Sequence, residues 1–204
     1  MSFLKTISGF RGTIGGRPGD NLTPPDVVEC AAAFGKWVIE TTGNPKIVVG
    51  RDGRISGDIV SALTINTLRA LGISVVDLGL STTPTVEMAV PMENAGGGII
   101  LTASHNPQNW NALKLLNQKG EFISADDGRA VLKIAAEKDF EFAPVERLGS
   151  LRNDQSFIQK HIELILALPL VDIEAVRAKG YKIVVDAVNS TGALAIPPLL
   201  EAMG

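Results

Sequence analysis

Thr102-Ala103-Ser104-His105-Asn106-Pro107 sets a hydroxyl directly beside an imidazole where the apolar run Gly97–Leu101 gives way to a polar stretch. Ligands in open α/β sheets bind beyond strand ends. Asn106-Pro107 fixes a turn, and Lys114 follows ten residues after Ser104 on what reads as a returning strand. A nucleophile, a proton carrier and a cation therefore fall in one short segment. Two other readings use the same residues. Ser-His-Asn-Pro also describes plain turn chemistry, and a Ser-His pair invites comparison with hydrolases. The hydrolase reading is weak: adjacent side chains rarely aim at each other, no Gly-x-Ser-x-Gly elbow is present, and no acid is placed to orient His105. The other histidine, His161, lies mid-helix near Lys160 and Glu163 and reads as solvated or structural.

Two glycine-containing elements bear on the same chemistry. Ser8-Gly9-Phe10-Arg11-Gly12 begins a stretch, extending to Gly16, that resembles an anion-cradling loop. It lacks the lysine-plus-hydroxyl ending of a P-loop and does not follow a strand, which argues against nucleotide binding by that route. Arg11 either offers a fork of donors to a phosphate or is a surface arginine. Gly50-Arg51-Asp52-Gly53-Arg54 stands at a second strand end. It is either a ligand contact or an internal Arg–Asp pair holding its own loop.

The elements that must position these residues follow from pattern. Pro45–Gly50 and Gly72–Gly79 are short β-branched runs bounded by punctuating residues. Between them Val60, Leu63, Thr67, Ala70 and Leu71 fall at helical spacing, with Ser56 placed as N-cap and Gly72 as the stop. Further helices are expected from Thr23-Pro24 to about Thr41, from Thr83-Pro84, and from Ser124 to about Lys138. Gly97–Thr102 reads as a strand, and Asn111–Leu116 follows so short a bend that an antiparallel return is expected. Near-continuous apolar strands alternating with helices imply an α/β chain. Residues 1–145 are expected to form a three-layer α/β/α domain with a mixed sheet.

Residues 146–153, in a stretch carrying Pro144, Gly149 and mixed charge, read as a linker. Residues 154–204 then offer an amphipathic helix at Ile158–Leu166, a strand at Tyr181–Asp186 and a helix at Thr191–Met203. A parallel strand needs a partner, and this one is followed only by its crossover helix. Either it joins the first sheet, or 154–204 begins a second, truncated domain; the missing partner favours the second.

Composition limits the function classes. Lys and Arg total 19 against 22 Asp and Glu, a net charge of −3, so no blanket of positive charge for nucleic acid is present. The apolar runs fall far short of the roughly 20 residues of a membrane span, and the first 16 residues contain no signal-type apolar core. A soluble, cytoplasmic chain is expected. The single cysteine, Cys30, cannot form an internal disulfide and reads as a small buried hydrophobe.

Together these segments resemble the α-D-phosphohexomutase family of phosphoglucomutases, phosphomannomutases and phosphoglucosamine mutases. Its signature loop Thr-Ala-Ser-His-Asn-Pro stands intact at 102–107. Gly9-Phe10-Arg11-Gly12 resembles its N-terminal Gly-x-Arg-Gly element, Val49–Ser56 its Gly-Arg-Asp-x-Arg element, and Thr83-Pro84-Thr85 its Thr-Pro element. Val184–Gly192 is similar to the opening strand and turn of its second domain, so the likeness spans nearly the whole chain.

The resemblance implies that Ser104 is a phosphoserine that donates and recovers a phosphoryl group, one phosphate oxygen ligating Mg²⁺. It further implies that His105 and Lys114 support proton transfer and charge, and that Arg11 contacts the phosphate. The substrate would be a hexose or hexosamine phosphate, with transfer between C1 and C6 through a glucose 1,6-bisphosphate-type intermediate that also serves as activator. A serine ester suits such a depot because uncatalysed monoester hydrolysis is extremely slow. Two departures stand out. The usual Asn-Gly-x-Lys is here Asn111-Ala112-Leu113-Lys114, and no Asp-x-Asp is present for the metal loop of the family's second domain. The chain is therefore expected to be an N-terminal portion of a mutase, inactive alone, with apolar surface whose exposure would allow a homodimer. The alternative is a non-catalytic phosphosugar-binding module in which Arg11, Ser104 and Lys114 hold an anion without turnover.

Overall fold

The structure, a computed structural model, describes residues 2–7 and 9–204; Ser8 of the N-terminal glycine element lies outside them. Among the described residues seven strands form one sheet: β1 (Leu4–Thr6), β2 (Gly9–Thr13), β3 (Lys46–Arg51), β4 (Ser74–Leu80), β5 (Gly97–Leu101), β6 (Trp110–Leu116) and β7 (Leu151–Asn153). Their spatial order is β1-β2-β6-β5-β3-β4-β7. The β5-β3-β4-β7 pairs are parallel and the β1-β2-β6-β5 pairs antiparallel, so the sheet is mixed and 111–116 returns antiparallel as expected.

Among the described residues seven α-helices accompany the strands: α1 (Pro24–Thr42), α2 (Gly57–Ala70), α3 (Thr83–Met92), α4 (Ala125–Glu137), α5 (Phe157–Leu166), α6 (Ile173–Lys179) and α7 (Gly192–Met203). None of them is long and apolar enough to cross a membrane. The continuous apolar run of β3 is explained by helices on both faces. Ile47 and Val49 point into a core with Phe34 of α1, Leu68 of α2 and Val131 of α4. Val48, between them, points into a second core with Val86 and Val90 of α3 and Phe157 of α5. Full burial of a side chain such as Phe34 contributes roughly 1.5–3 kcal/mol. Cys30 is buried in the first core, where desolvation pushes its thiol well above the ordinary range.

Several helix ends are set by side chains. The Thr23 and Asp26 pair closes a capping box at α1, and Gly43 stops that helix at φ +65°. Ser124 and Asp127 form a second box at α4. Ser56 departs from its expected role: its hydroxyl does not cap α2 but accepts a hydrogen bond from Asn111 Nδ2 at 3.0 Å. Asn111 is fully buried, and satisfying its amide outweighs a cap. At α3 the cap is Thr82, whose hydroxyl accepts from the Thr85 N–H.

The stretch expected to be an irregular linker contains a 3₁₀ turn at Val145–Arg147 and then β7, which pairs parallel with β4, Val75 opposite Leu151. Three polar-flanked residues on a sheet edge show no period that a sequence pattern could reveal. Residues 181–186 do the converse. They belong to no strand of the sheet, and Tyr181, Ile183 and Val184 are exposed, Val184 by 98%. An apolar run without a partner ladder has nothing to close its hydrogen bonds against, and the strand expected at Tyr181–Asp186 is not formed.

A chain of ion pairs ties β7 and α5 to the parallel half of the sheet. Glu93 meets Lys46 at 2.8 Å and Arg152 at 2.5 Å, and Asp154 meets Arg152 at 3.0 Å and Lys160 at 3.1 Å. Hydrogen bonds from the Ser156 hydroxyl and N–H, with Lys160 beside them, hold the Asp154 carboxyl at about 2. Its folded pKa lies below the unfolded value near 3.9. The contribution is thus present above about pH 4 and is lost as pH falls toward 2. Asp154→Asn should flatten the acid limb of an unfolding-free-energy-against-pH curve by about 1 kcal/mol or less, since the pairs are only partly buried.

His161, read as solvated or structural, is structural. Its Nδ1 lies 3.0 Å from Thr85 Oγ1, joining α5 to the first turn of α3, and partial burial pushes its pKa down.

Candidate active site

The C-terminal ends of β3, β4 and β5 share one edge of the sheet, and the loop at 102–109 leaves from it. All five residues of β5 are buried, so the polar sequence that follows must turn out toward solvent. The first turn of the loop is closed locally. Thr102 N–H donates to Ala112 O at 3.2 Å, Ser104 N–H to Thr102 Oγ1 at 3.1 Å, and Asn106 N–H to Ala103 O at 3.1 Å. Ser104 and His105 are exposed, and Ser104 takes a left-handed φ of +56°. For a non-glycine residue that conformation costs about 1 kcal/mol or more and needs outside support.

Support comes from Arg54. Its Nη2 donates to the carbonyl oxygens of Ser104 and Asn106, both at 2.8 Å, and its Nη1 to those of Pro107 at 2.7 Å and Trp110 at 3.0 Å. Its Nε meets Asp52 Oδ2 at 3.2 Å. Asp52 is fixed in turn: its Oδ1 accepts the Arg54 N–H at 3.0 Å, and its own N–H donates to Leu101 O at 3.1 Å. Of the two readings of the Gly50–Arg54 element, the structure shows the internal pair, and extends it to the neighbouring loop. A sequence motif shows the arginine but cannot count the carbonyls within its reach.

Strand register brings in the cations. Arg11 on β2 pairs with Ala112 on β6, and Gly9 pairs with Lys114. Paired residues share a face and alternate residues return to it, so Arg11 and Lys114 are diagonal neighbours on one face, roughly 7–8 Å apart along the backbone. Gly9 allows the close approach: a Cβ there would lie 2.1 Å from Leu113 O, at a φ of +137°. The stretch read as an anion-cradling loop is thus in its first part a strand, because residues 9–13 complete the ladder beside β6.

Arg11, Ser104, His105 and Lys114 all line one open cleft of about 340 Å³, together with Thr6 and Gly9. Neither Arg11 nor Lys114 makes an ion pair among the described residues. Lys114 Nζ stands 6.0 Å from the Phe122 ring centroid. Partial burial pushes the nearby Glu87 carboxyl up, and the Lys114 charge opposes that rise. Ala112, the departure from the usual glycine, is an ordinary buried strand residue with no positive φ, so the substitution strains nothing. A second opening of about 680 Å³ lies on the other side of Ser104 and His105, bounded by Asp52, Ile55, Val188 and Asn189. Across it Gly53 N–H donates to Ser190 Oγ at 3.2 Å. Among the described residues no group of three or more His, Cys, Asp or Glu is gathered closely enough to hold a metal ion.

The arrangement presents a hydroxyl at a strand tip, an imidazole beside it, and two cations facing the same space. It suits a small phosphorylated ligand.

Residues 4–142 match the family described as phosphoglucomutase/phosphomannomutase, alpha/beta/alpha domain I. A phosphoglucomutase/phosphomannomutase of Thermococcus kodakarensis is 35% identical over 196 residues, covering 95% of this chain and 42% of that protein. A phosphoglucosamine/phosphogalactosamine mutase of Sulfurisphaera tokodaii is 31% identical over 205 residues, covering 100% of this chain and 43% of that protein. The crystal structure of a phosphoglucomutase/phosphomannomutase family protein from Burkholderia thailandensis superposes with a TM-score of 0.65 at 25% identity, over 81% of this chain and 36% of that one. The chain thus spans about two fifths of the length of the curated relatives it matches. By its sheet, its strand-end loop and the extent of that match, the chain belongs to the phosphoglucomutase/phosphomannomutase family and carries the family's α/β/α domain I.

Proposed function

We propose that the chain is the phosphoserine-bearing N-terminal portion of a cytoplasmic phosphohexomutase that moves a phosphoryl group between C1 and C6 of a hexose or hexosamine phosphate. The observation that carries this reading is the exposed Ser104 hydroxyl sharing a cleft with Arg11, His105 and Lys114. In the first transfer the P–O bond to Ser104 Oγ breaks as a P–O bond to a sugar hydroxyl forms. The hydroxyl proton passes to a base, and the departing Oγ recovers a proton. The bisphosphate then turns around, and in the reverse step the P–O bond at the position the substrate originally carried breaks as a new one to Ser104 Oγ forms, freeing that sugar hydroxyl and restoring the phosphoserine. Such transfer depends on positioning and on neutralising the equatorial oxygens. Lys114 and Arg11 face the space where those oxygens would lie, and His105 or Lys114 is within the same cleft to handle the proton.

Magnesium would be held in this reading by a phosphate oxygen on Ser104, with the remaining ligands coming from outside the chain. The donors present do not assemble a metal site, so no step is routed through it here. The isolated chain would accordingly be inactive, and residues 154–204 would begin a second domain.

The test is covalent labelling. The full-length protein incubated with glucose 1,6-bisphosphate should gain one phosphate, which peptide mass spectrometry should locate on Ser104. Turnover by a protein labelled elsewhere, or not at all, would overturn the assignment.

A further inference from the structure

We infer that Arg54 is a positioning residue of the transfer reaction, placing the Ser104 hydroxyl by gripping the main chain of its loop; this rests on the mutase reading above. Arginine carries five N–H donors in a rigid plane. All five are engaged here, one with Asp52 and four with the carbonyls of Ser104, Asn106, Pro107 and Trp110. The side chain is only 10% exposed. A guanidinium with no donor left over is not arranged to bind a substrate phosphate, whatever its charge. Its partners instead span both ends of the turn that carries Ser104.

Local sequence does not hold that turn by itself. Ser104 sits at φ +56°, and its own N–H reaches only Thr102 Oγ1. Its carbonyl is held from 50 residues away in sequence. The anchor for the grip is solid, since Asp52 binds both the Arg54 side chain and the end of β5. Lysine cannot substitute, because a single ammonium cannot present a planar fork to four carbonyls.

The experiment uses Arg54→Lys and Arg54→Ala in the full-length protein, with kcat and KM measured separately and melting temperature as the check on folding. Misplacing the Ser104 oxygen by about 1 Å should lower kcat about 100-fold and leave KM within about threefold. Free guanidinium should restore turnover to the folded alanine variant in a concentration-dependent way and should do nothing for Ser104→Ala. A rise in KM at unchanged kcat would make Arg54 a substrate contact. A folded Arg54→Ala enzyme with kcat close to wild type would make it a spectator, and loss of folding in both variants would make it a fold residue. Each of these overturns the inference. Mutase turnover surviving in Ser104→Ala would overturn the underlying reading instead, so the two failures are distinguishable.

Discussion

Ser104→Ala in the full-length protein should abolish mutase turnover, by at least about 10⁴-fold, and abolish labelling by a sugar bisphosphate with it. The fold should survive. Among the described residues the Ser104 side chain makes no hydrogen bond that holds its loop; the N–H bond to Thr102 and the carbonyl bond to Arg54 belong to the backbone, which alanine keeps. Ser104→Gly is the informative companion, because glycine adopts φ +56° without cost. It should melt no lower than wild type and still be inactive. Steady-state kinetics and intact-mass measurement on the same preparations decide the matter, and a turnover number near wild type in either variant would sink the phosphoserine assignment.

Lys114→Met should lower kcat by about 10²–10³-fold, the usual effect of removing one donor aimed at developing charge in a transition state. Methionine keeps most of the stem that runs toward the Phe122 ring, so the loss reports the ammonium rather than packing. A second readout comes from Glu87. Its carboxyl is pushed up by burial and restrained by Lys114, and removing the cation should raise it further. Titration of Glu87 followed by NMR should show that rise, while Arg11→Ala, which alters an exposed side chain across the cleft, should not.

Much of the architecture was legible because its strands are buried on both faces and its helices are capped by local side chains. Ile47-Val48-Val49 reads as a buried strand because consecutive residues serve different cores. The failures share a cause, which is brevity or dependence on distant partners. β7 is three residues held only by its neighbour β4. α6 is seven residues long, with Asp172 and Gly180 at its ends but too few turns to display a period. Ser56 has the right type and place for a cap, yet a buried asparagine 55 residues away claims its hydroxyl. The run at 181–186 has strand composition and no ladder to join.

The site divides the same way. Ser104, His105 and Lys114 were legible together because one strand, its loop and the returning strand carry all three, whereas Arg11 reaches the same cleft through the register of β2 on β6, a strand its own sequence did not announce. Arg54 stayed ambiguous, since its partners are main-chain oxygens, and main-chain oxygens leave no mark on a sequence.

The inward turn of those oxygens has an electrostatic corollary. No peptide bond among the described residues is cis, so a carbonyl directed at Arg54 directs the following amide hydrogen the opposite way. With Ser104 O and Pro107 O facing the guanidinium, the amide hydrogens of His105 and Gln108 face away from it. A single guanidinium thus turns the electropositive ends of these two peptide dipoles away from itself, in the same loop as the hydroxyl that any anion must approach.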